Sequence, residues 1–232
     1  MGEHDNHRQR VYNRFLNEGL AGFEEHNAME FLLFLSRSRG DTNSLAHSVV
    51  NHFGSLANAL DAPIEELEKI EGIGHSSAVV LKFIPQMCAY YLESKLGGNK
   101  LLDSVTKCGE FFKPKFFGKT CEELYAVALD DKRQVIRCVQ ISSGTANATS
   151  ISIQKIVKLA VQTDATGVII AHNHPNGLAI PSGDDMRMTA KLQQALEYIS
   201  ISLVDHLVFC DDDYVSFAST MRLQDIVNFT QE

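Results

Sequence analysis

Residues 166–175 are Thr166-Gly167-Val168-Ile169-Ile170-Ala171-His172-Asn173-His174-Pro175, an apolar run that ends in two histidines. A continuous apolar run behind a turn residue is typical of a strand that is buried on both faces. Residues two apart in an extended chain project to the same face, so both imidazoles can reach one ion. Pro175 cannot donate a hydrogen bond to a sheet, and the strand is therefore expected to stop there.

A helix start follows this strand after a short loop. Asn176-Gly177 predicts a turn, and Ser182 is a good N-cap for the next helix. Asp185 then falls in the first helical turn, where the helix dipole favours an ionised carboxylate. Two imidazole nitrogens and one carboxylate oxygen, with a fourth position left open, form the ligand pattern of a catalytic zinc site. The sequence therefore predicts that His172, His174 and Asp185 bind a metal.

Simpler interpretations of the same residues remain open. Ser182 and Asp185 can form a capping box that has no chemical role. A single histidine at a strand end is more often a hydrogen-bonded side chain than a ligand. The histidine pair, combined with an acidic helix start a few residues later, favours the metal site.

The order of residues 172–185 also resembles a known signature. His-x-His-Pro, six further residues and Ser-x-x-Asp are similar to the signature of the JAMM (MPN+) metallohydrolases. The residues His172-Asn173-His174-Pro175-Asn176-Gly177 resemble the RadC family most closely, although that family usually has a serine where this chain has Asn176. A second departure is Gln154-Lys155, where RadC proteins usually carry Arg-Glu.

The resemblance covers nearly the whole chain and implies two domains. Residues 1–98 are expected to form an all-helical domain with a helix-hairpin-helix. Residues 101–232 are expected to form a JAMM/MPN-like (cytidine deaminase-like) domain of three α-β-α layers. Strands interleaved with helices after residue 101 agree with an α/β or α+β class. Gly97-Gly98-Asn99-Lys100 is the expected linker.

The resemblance further implies a hydrolase that cleaves a peptide or isopeptide amide, with Zn²⁺ as cofactor and a peptide or protein as substrate. Such a site needs a proton acceptor beside the attacking water. In JAMM proteins this glutamate opens the first core strand, which corresponds to Glu122; Glu123 would face the other side, and a register error of one residue would exchange them. Ser182 resembles the JAMM serine, whose hydroxyl assists the substrate carbonyl. His206, in a core strand, is expected to be structural or to support a ligand.

Residues 63–81 resemble a helix-hairpin-helix. Gly72 and Gly74 permit a tight turn, and backbone amides at the next helix start can face a phosphate. One interpretation is contact with the DNA backbone; the other is a packed hairpin with a structural role. Glu71 and His75 flank the turn and the segment is acidic, so the sequence supports DNA contact weakly.

Composition restricts the class of protein. The net charge is −8, and both parts are acidic: residues 1–100 carry 9 Lys and Arg against 13 Asp and Glu, and residues 101–232 carry 12 against 16. Proteins that bind DNA tightly and non-specifically usually have a basic face. No apolar run approaches the ~20 residues of a membrane span, and no apolar signal segment follows Met1. Five cysteines without paired spacing predict free thiols in a reducing cytoplasm.

Two rival functions remain open at this point. The same residues could activate water against a phosphodiester, which would make the protein a metal-dependent nuclease anchored by its hairpin domain. Alternatively, zinc could stabilise a binding protein that has no enzymatic activity. Salt-dependent binding of branched DNA would favour the first rival, and full stability after metal removal without activity on any substrate would favour partner binding.

Overall fold

The computed structural model describes residues 3–38, 40–95, 100–144, 149–175 and 177–220. The chain divides into two compact units, Met1–Cys88 and Ala89–Glu232. The domain boundary expected at residues 98–101 stays a prediction, because residues 96–99, most of the expected linker, lie outside the described part of the chain.

The helices account for most of the first unit and surround the sheet of the second. They are α1 (Glu3–Glu18), α2 (Glu25–Ser36), α3 (Asn43–Phe53), α4 (Leu56–Asp61), α5 (Ile64–Leu67), α6 (His75–Lys95), α7 (Val105–Phe116), α8 (Thr149–Gln162), α9 (Gly183–Glu197) and α10 (Phe217–Thr220). Among these described helices, none combines the length and the apolar character that crossing a bilayer requires.

The first unit packs its helices around a small apolar core. Met29, Leu33, Leu67 and Leu81 have no exposed surface. The first helix of the expected hairpin is short, since α5 ends at Leu67 and Ile70 lies after it. A helix of four residues makes barely one turn and gains little stability from helix propensity. The burial of Leu67 therefore stabilises α5.

The second unit contains a mixed five-stranded sheet in the order β2-β1-β3-β4-β5. Its strands are β1 (Glu123–Leu129), β2 (Val135–Ser143), β3 (Gly167–Asn173), β4 (Ser202–Cys210) and β5 (Asp213–Ser216). β3 and β4 are parallel and are joined through α9, whereas the other neighbouring strands pair antiparallel. The hairpin from β1 to β2 turns at Asp130–Arg133, a polar segment typical of such turns.

Helices cover both faces of this sheet. Val168 and Ile170 of β3 pack on one face with residues of α8 and α9. Ile169 and Ala171 pack on the other face with phenylalanines of α7, among them Phe112. All seven residues of β3 are buried, as expected for an apolar run without alternation. The predicted α+β class with three α-β-α layers is therefore confirmed.

The loop and helix that follow β3 determine the position of the predicted site. In a parallel strand–helix–strand unit, the carboxyl end of the first strand and the start of the helix lie at the same edge of the sheet. β3 ends at Asn173 and α9 begins at Gly183. The histidines and the acidic helix start therefore meet at this edge.

Candidate metal centre

The two histidines lie at the carboxyl end of the central strand β3. His172 is the second-last residue of the strand, and His174 follows its last residue. The Nε2 atoms of the two rings are 2.9 Å apart, as expected for side chains two residues apart in an extended chain. His172 is buried and His174 is half-buried, so an ion between them would remain accessible from one side.

Asp185 approaches both rings from the first turn of α9. Its Oδ1 lies 3.2 Å from Nε2 of His172, and its Oδ2 lies 3.4 Å from Nε2 of His174. Ser182, the N-cap, donates from its backbone nitrogen and from Oγ to Oδ2, each at 2.7 Å, and its Oγ accepts from the backbone N–H of Asp185. The capping box is present together with the converging carboxylate, so the capping interpretation of Ser182 and Asp185 does not exclude the metal site.

The environment keeps the Asp185 carboxyl ionised. Burial by itself raises the pKa of Asp185. Hydrogen bonding and electrostatic attraction from His172, together with hydrogen bonds from Ser182, outweigh burial and hold this pKa well below its usual range. The side chain is therefore an anion near neutral pH.

This group of atoms fits a metal ion. Neighbouring ligand atoms of a tetrahedral zinc site lie about 3.3 Å apart, and the three pairs here are separated by 2.9, 3.2 and 3.4 Å. Nδ1 of His174 lies 3.2 Å from the carbonyl oxygen of Leu178. A carbonyl accepts only, so that Nδ1 carries the proton and Nε2 of the neutral ring presents a lone pair. The converging atoms need a positive charge between them, and His172, His174 and Asp185 can hold a metal.

Glu123 is tied into hydrogen bonds at the start of β1. Its side chain is almost fully buried. The carboxylate accepts from Nζ of Lys119 at 3.1 Å and from the hydroxyl of Tyr125 at 3.0 Å. Burial, and then the charge and hydrogen bond of Glu123, raise the pKa of Tyr125 above its usual range. These contacts hold the Glu123 carboxylate in place.

Glu122 is exposed and precedes β1 by one residue. Leu124 pairs with His172 across the two strands. Alternation along an extended chain therefore places Glu122 on the face of His172 and Glu123 on the opposite face. The function of Glu122 as proton acceptor stays a prediction, which its place on this face favours.

A cavity of about 400 Å³ opens onto the three predicted ligands. Glu122, Glu123 and Ser182 line its walls together with His172, His174 and Asp185. All five residues expected to form the site thus border one space that is large enough for a short segment of peptide. Asn176, at which the chain departs from the RadC pattern, lies outside the described residues.

Thr189 and His206 complete the surroundings of the site. Sequence reasoning expected His206 to be structural or to support a ligand, but it did not connect Thr189 with the site. Nε2 of His206 lies 2.8 Å from Nδ1 of His172, and Nδ1 of His206 lies 2.6 Å from the hydroxyl of Thr189. Burial lowers the pKa of His206 well below its usual value. Thr189 follows Asp185 by four residues and so shares its helix face, but its contact with His206 requires the packing of α9 on β4.

Comparisons with known proteins agree with this architecture. The family model described as the RadC-like JAB domain matches residues 102–223. A UPF0758 protein of Fusobacterium nucleatum is 30% identical over 226 residues, which cover 94% of this chain and 97% of that protein. The first similarity includes every residue of the predicted site, and the second extends through both units.

Proposed function

The chain belongs to the RadC family, as the match to the RadC-like JAB domain and the relative covering 94% of the chain show. We propose that it is a zinc-dependent hydrolase. We assign it a peptide or isopeptide amide as the bond that is cleaved. We also propose a cytoplasmic location, in keeping with its five free cysteines.

The observation that carries the proposal is the convergence of three electron-rich atoms at separations of 2.9, 3.2 and 3.4 Å. Two neutral imidazoles and one carboxylate suit zinc better than magnesium or calcium, which prefer oxygen ligands. Bound zinc would supply the Lewis acidity that amide hydrolysis needs near neutral pH.

The side chains around the cavity have separate tasks. His172, His174 and Asp185 would hold the metal. Glu122 accepts a proton at its carboxylate from the attacking water and then donates it to the leaving amine nitrogen. The hydroxyl of Ser182 donates to Oδ2 of Asp185 in this structure and would turn to donate a hydrogen bond to the carbonyl oxygen of the substrate as negative charge develops there. The carboxylates that line the cavity attract the positively charged amine product, which is therefore stabilised near Glu122.

Metal content and a substrate screen test the proposal directly. We expect freshly purified protein to hold one zinc ion per chain, and the variants His172→Ala and His174→Ala to hold little. The protein should cleave members of a panel of peptide and isopeptide substrates, and a chelator should abolish this activity until zinc is restored. Equal metal in all three proteins would refute the site, and cleavage of DNA alone by the metal-loaded protein would favour the nuclease instead.

A further inference from the structure

We infer that Thr189 and His206 are positioning residues, which fix the proton on the far nitrogen of His172 and so present its Nε2 as a lone pair to the metal. This inference rests on the proposed function, because it concerns the same site. Hydrogen-bond partners determine which ring nitrogen carries the proton in His206 and in His172.

The first proton to be placed is that of the Thr189 hydroxyl. Oγ1 of Thr189 lies 2.6 Å from the carbonyl oxygen of Asp185 in the preceding helical turn. A carbonyl oxygen can only accept, so the hydroxyl donates its single proton there. The same Oγ1 is 2.6 Å from Nδ1 of His206. Having no second proton, it must accept in this contact, which places the ring proton of His206 on Nδ1.

The next step follows from the chemistry of a neutral imidazole. With its proton on Nδ1, His206 has a lone pair on Nε2. This atom is 2.8 Å from Nδ1 of His172, so His172 donates from Nδ1. Its other nitrogen, Nε2, is then free of a proton in the neutral ring, and this is the nitrogen that faces His174 and Asp185.

The surroundings of His206 prevent other arrangements. The residue has no exposed surface, so water does not compete for either ring nitrogen. Its ring stacks on that of Phe217, with centroids 4.6 Å apart and planes inclined by 14°. Its backbone nitrogen donates to Oδ1 of the buried Asp205 at 2.7 Å. The ring therefore cannot turn to exchange its two nitrogens.

Thr189 also connects two of the predicted ligands. Through the carbonyl of Asp185 it contacts the residue that supplies the carboxylate, and through His206 it reaches His172. One hydroxyl thereby couples the first turns of α9 to β4 and to the end of β3. Partners of this kind typically change metal affinity by about 10–100-fold when they are removed.

The substitution Thr189→Val keeps the shape of the side chain and removes the hydroxyl. His206 then has no acceptor at Nδ1, and in metal-free protein its proton can move to Nε2. It would donate from there to Nδ1 of His172, which drives the proton of His172 onto the metal-facing nitrogen. Zinc binding must reverse both changes and should weaken by about 10–100-fold.

The test measures proton position and zinc affinity in the full chain. Long-range ¹H–¹⁵N spectra of metal-free protein report which ring nitrogen carries the proton, and competition with a chromophoric chelator gives the zinc dissociation constant. We expect the His206 proton on Nδ1 in the wild type and in Thr189→Ser, and on Nε2 in Thr189→Val. We expect Thr189→Ser to bind zinc within about threefold of the wild type, well short of the loss from removing the hydroxyl.

Thr163→Val is the matched control. The hydroxyl of Thr163 donates to the carbonyl of Leu159 at 2.8 Å, as that of Thr189 donates to the carbonyl of Asp185, but its other neighbour is the carbonyl of Ala160 and not a histidine. It should leave zinc affinity unchanged. A wild-type His206 proton on Nε2, or equal zinc affinity in Thr189→Val and the wild type, would overturn the inference. A wild type that binds no zinc would instead refute the metalloenzyme, while the metal-free spectra would still decide the proton positions.

Discussion

At the scale of single residues, two adjacent carboxylates differ because their surroundings differ. Glu123 is buried against Lys119 and Tyr125, whereas Glu122 is exposed on the side of the sheet that carries His172. Sequence alone left the assignment of the base open to an error of one residue. The pairing of β1 with β3 favours Glu122, because the strand register places Glu122 on the face of the sheet that carries His172.

The substitution Glu122→Gln should therefore retain zinc and lose hydrolysis. The amide has nearly the shape of the carboxylate but cannot accept the proton, and general-base catalysis contributes about 10²–10⁴-fold. Glu123→Gln is the neighbouring control and should reduce the rate much less, with some loss of stability. Rates on a cleaved peptide, with metal content measured in parallel, check this, and the opposite ranking would place the base at Glu123.

The thiols offer a second residue-scale prediction. Burial, with the negative charges of Asp205 and Asp103, raises the pKa of Cys108 to about 12. Because the thiolate is the reactive form, Cys108 should resist alkylation at about pH 8 until the protein unfolds. Cys88 and Cys121 are exposed and should react first. Mass spectrometry of peptides after timed iodoacetamide treatment measures this order, and early labelling of Cys108 would contradict the burial that we describe.

At the scale of elements, the start of α9 combines stability with the proposed chemistry. Ser182 caps this helix, and Ser104 caps α7 in the same way, away from the cavity. Loss of an N-cap typically costs about 0.5–2 kcal/mol, so Ser182→Ala and Ser104→Ala should each lower the free energy of unfolding by such an amount. Hydrolysis should fall in Ser182→Ala alone. Urea denaturation and peptide assays measure the two effects, and an equal loss of activity in both variants would reduce Ser182 to a cap.

The elements also show how far sequence reasoning reaches. The apolar run of β3, the turn between β1 and β2, and the cap of α9 were predictable because each depends on neighbours in the chain. Pro114, a residue type that usually interrupts a helix, lies within α7, where the burial of Phe111 and Phe112 against the sheet outweighs the lost hydrogen bond. The contact of Thr189 with His206 was not predictable, since it depends on how α9 packs against β4.

At the scale of the whole molecule, charge bears on whether DNA is a partner. The net charge is −8, and some of the arginines of the first unit that could form a basic patch donate hydrogen bonds within that unit. Arg8 donates to the carbonyls of Ser38 and Arg37, and Arg14 donates to that of Gly22. Arg39, which could have joined such a patch, lies outside the described residues. Charge therefore gives little support to a broad phosphate-binding face.

The hairpin turn itself has mixed electrostatics. Gly72 has φ +94°, which suits glycine, and its carbonyl accepts a hydrogen bond from Arg37. This arginine beside the turn would favour a phosphate. Glu68 lies 2.7 Å from the ring of His75, which follows the turn. Charges within the screening length of about 8 Å at physiological salt affect a bound phosphate, so Arg37 would attract it and Glu68 would repel it.

We therefore expect the full chain to bind duplex DNA weakly, with a dissociation constant near the upper end of the non-specific range, about 10⁻⁴ M at physiological salt. Fluorescence anisotropy at two salt concentrations measures the affinity and its salt slope. Gly74→Asp is a suitable probe, because a Cβ at Gly74 meets nothing within 4 Å and the added carboxylate would repel a phosphate at the turn. It should change the weak binding very little. Tight binding with a steep salt slope that Gly74→Asp abolishes would instead identify the hairpin as a DNA anchor, and the nuclease would then become the better account of the metal site.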